Sequence, residues 1–292
     1  MPAMRRRFYP PMPPFEMPPA RTLNVPGRGE MFFRDTGGDG PVVLLLHGWM
    51  ATADLNWYGA YGALMSAGYR VLAVDHRGHG RGLRPLNRFR LAGCAGDAAD
   101  LLRTLGVTPA VVVGYSMGGA IAQLVARDHP DVVSGLVLSG TAQHWKDPQV
   151  RRTWRTMGAL GLLLSLAPRG TWRAGFRRAG LQDSPETAWL QSELLRHSAR
   201  DIAEAGRELG RFDSRPWLPT VPARSSSAVV LTTQDDLVPP YKQRELAAAL
   251  GAKVFEAPIQ HIQLVSHADV YNPELLAAIA AVSSAEAGAQ AA

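Results

Sequence analysis

Ser116 stands in the pentapeptide Gly114-Tyr115-Ser116-Met117-Gly118, a G-x-S-x-G pattern. An apolar run, residues 110–113, precedes it, and a helix-compatible run, residues 119–128, follows it. Strand, sharp turn and helix in that order lift a serine hydroxyl above the end of a sheet, in a backbone position that only small neighbours allow. The new helix offers unpaired N–H groups and a positive dipole end where an oxyanion can form. A serine hydroxyl is a poor nucleophile at neutral pH. It needs a base, an acid that orients the base, and preorganised donors for the oxyanion. In this setting the expected chain order is serine, acid, histidine.

The partners must come later in the chain. Asp235 and Asp236 follow the apolar run 228–232, in Thr232-Thr233-Gln234-Asp235-Asp236-Leu237-Val238-Pro239. A carboxylate just past a strand's carboxyl end points into the same crevice as Ser116. Only one of the two can face inward. Asp235, nearer the strand end, is the expected acid, and capping of the next helix is the competing use of either. His261 and His267 both follow the last strand-like run, residues 253–257. His261 sits in the short loop directly after that run and is the expected base; His267, six residues on, is closer to the following helix. Two backbone N–H groups would hold the oxyanion. One belongs to Met117, the other to the loop His47-Gly48-Trp49-Met50 after the run 42–46. Trp49 is the natural donor there, because Gly48 lets the backbone come close. His47 is expected to brace that loop.

These groups need a scaffold. Strand-like runs at 42–46, 71–74, 110–113, 136–138, 228–232 and 253–257 alternate with helical stretches at 54–67, 94–105, 117–128, 241–250 and 273–282. The strands are continuously apolar, as expected when both faces of a parallel sheet are buried. Residues 21–25 and 31–34 add an antiparallel hairpin at one edge. The pattern predicts a doubly wound, mostly parallel α/β sheet. The rhythm stops near Thr141 and resumes near Ala228. Between them, residues 150–166, 171–181 and 187–209 read as helices, and the segment holds Trp145, Trp154, Trp172, Trp189 and Trp217, five of the chain's seven tryptophans. An insertion at the carboxyl edge of such a sheet would form a helical lid over Ser116. The expected organisation is therefore a Pro-rich tail over 1–20, a core over 21–140 and 228–285, a lid over 141–227, and an Ala-rich tail over 286–292.

Composition narrows the class. The chain has 292 residues, enough to bury a large core, and a single cysteine, so it forms no intrachain disulfide. A reducing, cytoplasmic setting is expected. Cys94, among small apolar neighbours, reads as a buried inert thiol. The first twenty residues hold seven prolines and no apolar stretch of the kind a secretory signal needs. No run approaches the roughly 20 apolar residues that span a bilayer, so stable membrane insertion is not expected. The net charge of +6 lies in one place: residues 141–227 hold 14 Lys+Arg against 8 Asp+Glu. With no recognisable nucleic-acid module, a solvated helical surface is the expected reading, not a nucleic-acid interface.

Together these pieces resemble the α/β-hydrolase superfamily over about residues 30–285. His47-Gly48 resembles its oxyanion motif, Asp75-His76-Arg77-Gly78-His79-Gly80 its D-x-R-G-x-G loop, Gly114–Gly118 its elbow, and Asp235-Asp236-Leu237-Val238-Pro239 its acid loop. The resemblance implies Ser116 as nucleophile, Asp235 as acid and His261 as base. It also implies oxyanion donors at Trp49 and Met117, with Asp75 and His79 as scaffold. It departs at Gln260, where the family usually has glycine or a small acidic residue before the histidine. Family members that open epoxides or remove halides use aspartate at the elbow, so Ser116 argues against both. The implied function is hydrolysis of small carboxylic esters with apolar acyl or alcohol groups, of esterase or lipase-like type, with no metal or organic cofactor. Haloperoxidase-like peracid formation and carbon–carbon bond hydrolysis use the same triad, and a non-catalytic binding protein on this fold is the remaining alternative. Nothing in the chain points to an oligomeric state.

Overall fold

A computed structural model describes residues 10–147, 156–178, 180–222 and 226–290, the last seven without their side chains. Eight strands form one sheet in the order β1-β2-β4-β3-β5-β6-β7-β8. β1 (Ala20–Val25) and β2 (Gly29–Asp35) make the expected hairpin, and β2 pairs antiparallel with β4 (Arg70–Val74). β3 (Val42–Leu46), β5 (Ala110–Tyr115), β6 (Val133–Ser139), β7 (Ser227–Thr232) and β8 (Lys253–Ala257) run parallel with β4 and with one another. The central strands are apolar on both faces because helices cover both. Leu44 and Leu46 pack on one side with α3 (Leu91–Leu105), α4 (Met117–Asp128) and α9 (Pro240–Leu250). Val43 and Leu45 pack on the other with α1 (Ala53–Trp57), α2 (Tyr61–Ser66) and α10 (Ala268–Gln290).

Two of the expected helices are divided. Residues 54–67 form α1 and α2, separated at Gly59. A Cβ there would lie 3.2 Å from that of Ala268, and the Gly59 carbonyl accepts from Asn272 Nδ2 at 2.8 Å. Close packing of α10 thus breaks the helix, and the freed carbonyl finds a side-chain donor. Residues 187–209 form α7 (Pro185–Leu194) and α8 (Ala199–Leu209). The break falls where Ser198 N–H donates to Gly78 O at 2.8 Å and His197 Nδ1 accepts from Gly80 N–H at 3.0 Å. Ser198 then caps α8 by accepting from Asp201 N–H. At the other end of the chain, α10 begins five residues before the expected helix and runs on to Gln290.

The insertion between β6 and β7 contributes α5 (Met157–Leu166), α6 (Pro168–Arg178), α7 and α8. α8 is strongly amphipathic and buries Ile202, Ala205 and Leu209, one face at i, i+3 and i+7. α5 crosses it closely, with Gly161 against Ala203. Arg81 joins the insertion to the core through Glu193 at 2.6 Å and Asp54 at 3.4 Å. Of the five tryptophans in the segment, Trp154 lies outside the described residues. Trp145 and Trp217 pack with Phe212 at the foot of the insertion. Trp189 meets Tyr58 edge-on at 5.4 Å, and Trp172 meets His197 at 6.3 Å.

Candidate active site

The turn after β5 holds Ser116 at φ 54°, ψ −116°, a left-handed conformation rare for a residue with a side chain. It persists because the surroundings over-determine it. A Cβ on Gly114 would lie 2.3 Å from Gly118 O, and one on Gly118 would lie 2.1 Å from Leu46 O, so neither position tolerates a side chain. Ser116 N–H donates to Ser139 O at 2.9 Å, and Ser116 O accepts from Thr141 Oγ1 at 2.8 Å and Gly119 N–H at 2.9 Å. The backbone of the serine is therefore held on both sides. Ser116 occupies the N-cap position of α4, and its side chain makes no capping hydrogen bond to the helix.

His261 lies 145 positions away, in the loop after β8. Its Nε2 is 3.0 Å from Ser116 Oγ and its Nδ1 is 2.7 Å from Asp235 Oδ2. His267 is exposed and pairs instead with the neighbouring Ser266 hydroxyl. Gln260, the departure from the family pattern, does not disturb the loop. Its N–H donates to the Gln263 side chain at 2.8 Å, closing a short turn that presents His261 inward.

Asp235 is buried and well supplied with donors. Oδ1 accepts from Leu237 N–H at 2.9 Å and Val238 N–H at 2.7 Å, the self-closing turn an aspartate forms with the residues after it. Oδ2 accepts from Thr232 Oγ1 at 2.8 Å as well as from His261. Gln243 Nε2 bonds Thr232 Oγ1 and Val238 O, both at 2.8 Å, which stiffens the turn. Asp236 is exposed. The Asp235 carboxylate thus has both oxygens engaged, Oδ1 by its own turn and Oδ2 by Thr232 and the imidazole.

The loop after β3 passes close to the serine, since a Cβ on Gly48 would lie 3.3 Å from Ser116 Cβ. His47 donates from Nδ1 to Gly48 O at 2.8 Å and accepts at Nε2 from His76 N–H at 3.0 Å, so it braces the loop as a neutral ring. Burial pushes its pKa well down, which keeps it neutral. Gly48 N–H is tied to Asn56 Oδ1 at 2.9 Å. Met50 adopts φ 56°, a second strained residue beside the site. Trp49 donates from its indole to Ile202 O at 2.9 Å and so fastens this loop to α8. Asp75 accepts from Ala53 N–H and Arg81 N–H, both at 2.7 Å, and holds the loops after β3 and β4 together. Cys94 is buried, and burial drives its thiol pKa up, away from reactivity.

Three contributors carry no signature in the sequence. Tyr115 donates its hydroxyl to the carbonyl of His261, Thr141 takes the carbonyl of Ser116, and Asn56 takes the N–H of Gly48. Each acts on a backbone group, through a contact that exists only once the strands are assembled. Among the described residues there is no group of three or more His, Cys, Asp or Glu able to hold a metal ion. Among them, too, no helix is long and apolar enough to cross a membrane.

The turn that holds Ser116, the turn after β7 and the loop after β8 thus meet at one end of an eight-stranded, mostly parallel sheet. The family model for the alpha/beta hydrolase fold matches residues 41–268. The chain belongs to the α/β-hydrolase family. Within that family it is 31% identical over 279 residues to the non-heme chloroperoxidase of Streptomyces lividans, covering 88% of this chain and 98% of that one. It is 37% identical to epoxide hydrolase B of Mycobacterium tuberculosis over 121 residues, 40% of this chain and 34% of that one. In three dimensions the esterase of Exiguobacterium antarcticum superposes with a TM-score of 0.76 over 88% of this chain and 98% of that one, at 20% identity, which speaks for the fold alone.

Proposed function

We propose that this α/β hydrolase cleaves small carboxylic esters with an apolar acyl or alcohol group, through Ser116, His261 and Asp235. The single observation behind this reading is the unbroken relay from Ser116 Oγ to His261 Nε2 at 3.0 Å and from His261 Nδ1 to Asp235 at 2.7 Å. In it His261 takes the Ser116 proton as Oγ attacks the ester carbonyl carbon, and the carbonyl π pair moves to oxygen. Asp235 keeps the Nδ1–H tautomer and stabilises the imidazolium. The backbone N–H groups of Trp49 and Met117 receive the oxyanion; a donor of this kind is typically worth about 3 kcal/mol. Collapse of the tetrahedral species expels the alkoxide, which takes its proton from His261. Water, deprotonated by the same ring, then releases the acid and restores Ser116. No metal or organic cofactor enters the scheme.

In the same reading α5–α8 form a lid. Its support is the set of ties from the insertion to loops bordering Ser116: Trp49 to Ile202, Gly78 to Ser198, Gly80 to His197 and Arg81 to Glu193. The apolar positions of that lid would select the acyl chain.

A second reading is favoured by the relative from Streptomyces lividans, whose name is a chloroperoxidase. Hydrogen peroxide in place of water at the acyl-enzyme would release a peracid, with the same proton transfers at His261. Position 116 is serine, which counts against epoxide opening by a carboxylate nucleophile. The test is labelling with a serine-reactive fluorophosphonate, followed by hydrolysis of p-nitrophenyl esters of graded chain length. Peracid formation from acetate and hydrogen peroxide is followed in parallel. Labelling with fast ester turnover supports the first reading. Peracid formation that outruns ester hydrolysis supports the second, and a chain that neither labels nor turns over is a binding protein.

A further inference from the structure

Residues 148–182 contain seven arginines and no aspartate or glutamate, so this one stretch carries more than the whole net charge of +6. Its described part, α5 and α6, has an unusual surface. Leu162, Leu163 and Leu166 on α5 are 59%, 54% and 76% exposed. Adjacent exposed leucines of this kind form an apolar patch, which a water-facing surface rarely keeps. α6 follows after Ala167 and carries Arg169, Arg173 and Arg177 at i, i+4 and i+8, on one helix face. With Phe176 and Leu181 they line a cleft of about 630 Å3 between α6 and α7, whose one carboxylate is Asp183.

Several exposed arginines elsewhere among the described residues are paired with a carboxylate. Arg103 pairs with Asp131, Arg215 with Asp213 and Arg244 with Glu256. Arg169, Arg173, Arg177 and Arg178 form no ion pair among the described residues. Four guanidiniums with no ion pair among the described residues, on the helix that follows three exposed leucines, are complementary to a surface that is negatively charged and apolar just beneath.

We propose that the α5–α6 face docks reversibly on a bilayer that carries anionic headgroups. The leucines enter the boundary between headgroup and acyl chain, and the guanidiniums bind lipid phosphates with paired N–H groups. α5 and α6 have 10 and 11 residues, about half of what a span requires, so the face lies on the membrane without crossing it. A nucleic acid would satisfy the arginines and leave the leucines in water, which is why lipid is the better fit.

The experiment is co-sedimentation of the full chain with vesicles of phosphatidylcholine, with and without phosphatidylglycerol, at increasing salt. Binding is expected only with phosphatidylglycerol and should weaken as salt rises. The exposed triple variant Arg169→Gln/Arg173→Gln/Arg177→Gln should lose about 100-fold in partitioning, at roughly a factor of five per arginine. Leu162→Ser/Leu166→Ser should lose about tenfold while keeping the salt dependence. Thermal melts verify that both variants are folded. Absence of binding to phosphatidylglycerol vesicles overturns the proposal. So does binding that survives the arginine variant, which would place the contact elsewhere on the chain. Vesicle binding that is insensitive to the leucine variant and matched by a duplex oligonucleotide also overturns it, in favour of a general polyanion surface.

Discussion

The hydroxyl of Tyr115 donates to the backbone carbonyl of His261, so the residue before the elbow serine holds the loop that brings the histidine to it. Tyr115 is buried, and burial raises its pKa well above the ordinary value, which keeps it a donor at every working pH. The two partners lie 146 positions apart. The contact couples the end of β5 to the loop after β8 and fixes the height of the imidazole above Ser116.

Tyr115→Phe should therefore lower kcat by about tenfold with little change in KM, because the ring loses its fixed distance to Ser116 Oγ while the substrate pocket is untouched. Leaving the His261 carbonyl without its donor should also cost about 1–3 kcal/mol of stability. Steady-state kinetics on a soluble ester and a thermal melt measure both. An unchanged kcat would show that the loop holds itself.

Ser116→Ala should abolish ester turnover and fluorophosphonate labelling, and its melting temperature should stay near that of the parent. Ser116→Gly should do the same to activity and melt higher than Ser116→Ala. Glycine alone relieves the positive φ at this position, a strain of about 1–3 kcal/mol. Residual labelling of Ser116→Ala would point to another nucleophile.

Asp235→Asn should reduce kcat by about 10⁴-fold through the wrong imidazole tautomer, since an amide N–H cannot accept from Nδ1–H. Asp236→Asn, at an exposed position, should stay within twofold of the parent. Comparison of the two in one kinetic series decides the matter, and the reverse ranking would refute the role given to Asp235.

Three buried histidines and the half-buried His197 form a chain: the His47 ring lies 4.2 Å from His76 and 5.3 Å from His79, and His79 lies 5.4 Å from His197. Burial lowers all four, His76 to about 3 and His197 to about 4. They are neutral when folded and titrate near 6.5 when unfolded, so the unfolded chain binds more protons below that pH. Their stabilisation is complete above pH 6.5 and is lost as pH falls, by at most about 1.4 kcal/mol per group for each unit. Asp75, raised to about 6 by burial, works in the opposite direction, but it is one group against four. Melting temperature should fall steadily from pH 7 to pH 5. His197→Asn, which can still accept from Gly80 N–H, should make that slope shallower. A melting temperature independent of pH over this window would contradict the buried neutral cluster.

Much of this architecture is local and therefore written in the chain. The strands are apolar throughout because helices cover both faces, and that pattern survives any error of a residue or two at their ends. The elbow is legible because Gly114 and Gly118 have no room for a side chain. Asp235 is legible because its turn closes on its own neighbours, Leu237 and Val238. Other features depend on surfaces that meet only in the folded molecule. Gly59 divides a helix because α10 presses on it, and α7 ends at Leu194 where Gly78 and Gly80 bind the residues that follow. Two histidines follow β8, and although His261 is the nearer along the chain, spacing alone does not say which way either side chain points. The direction is set by contacts across the sheet, Gln263 closing the loop at Gln260 and Tyr115 reaching the carbonyl of His261, and these place His261 beside Ser116 and leave His267 in solvent.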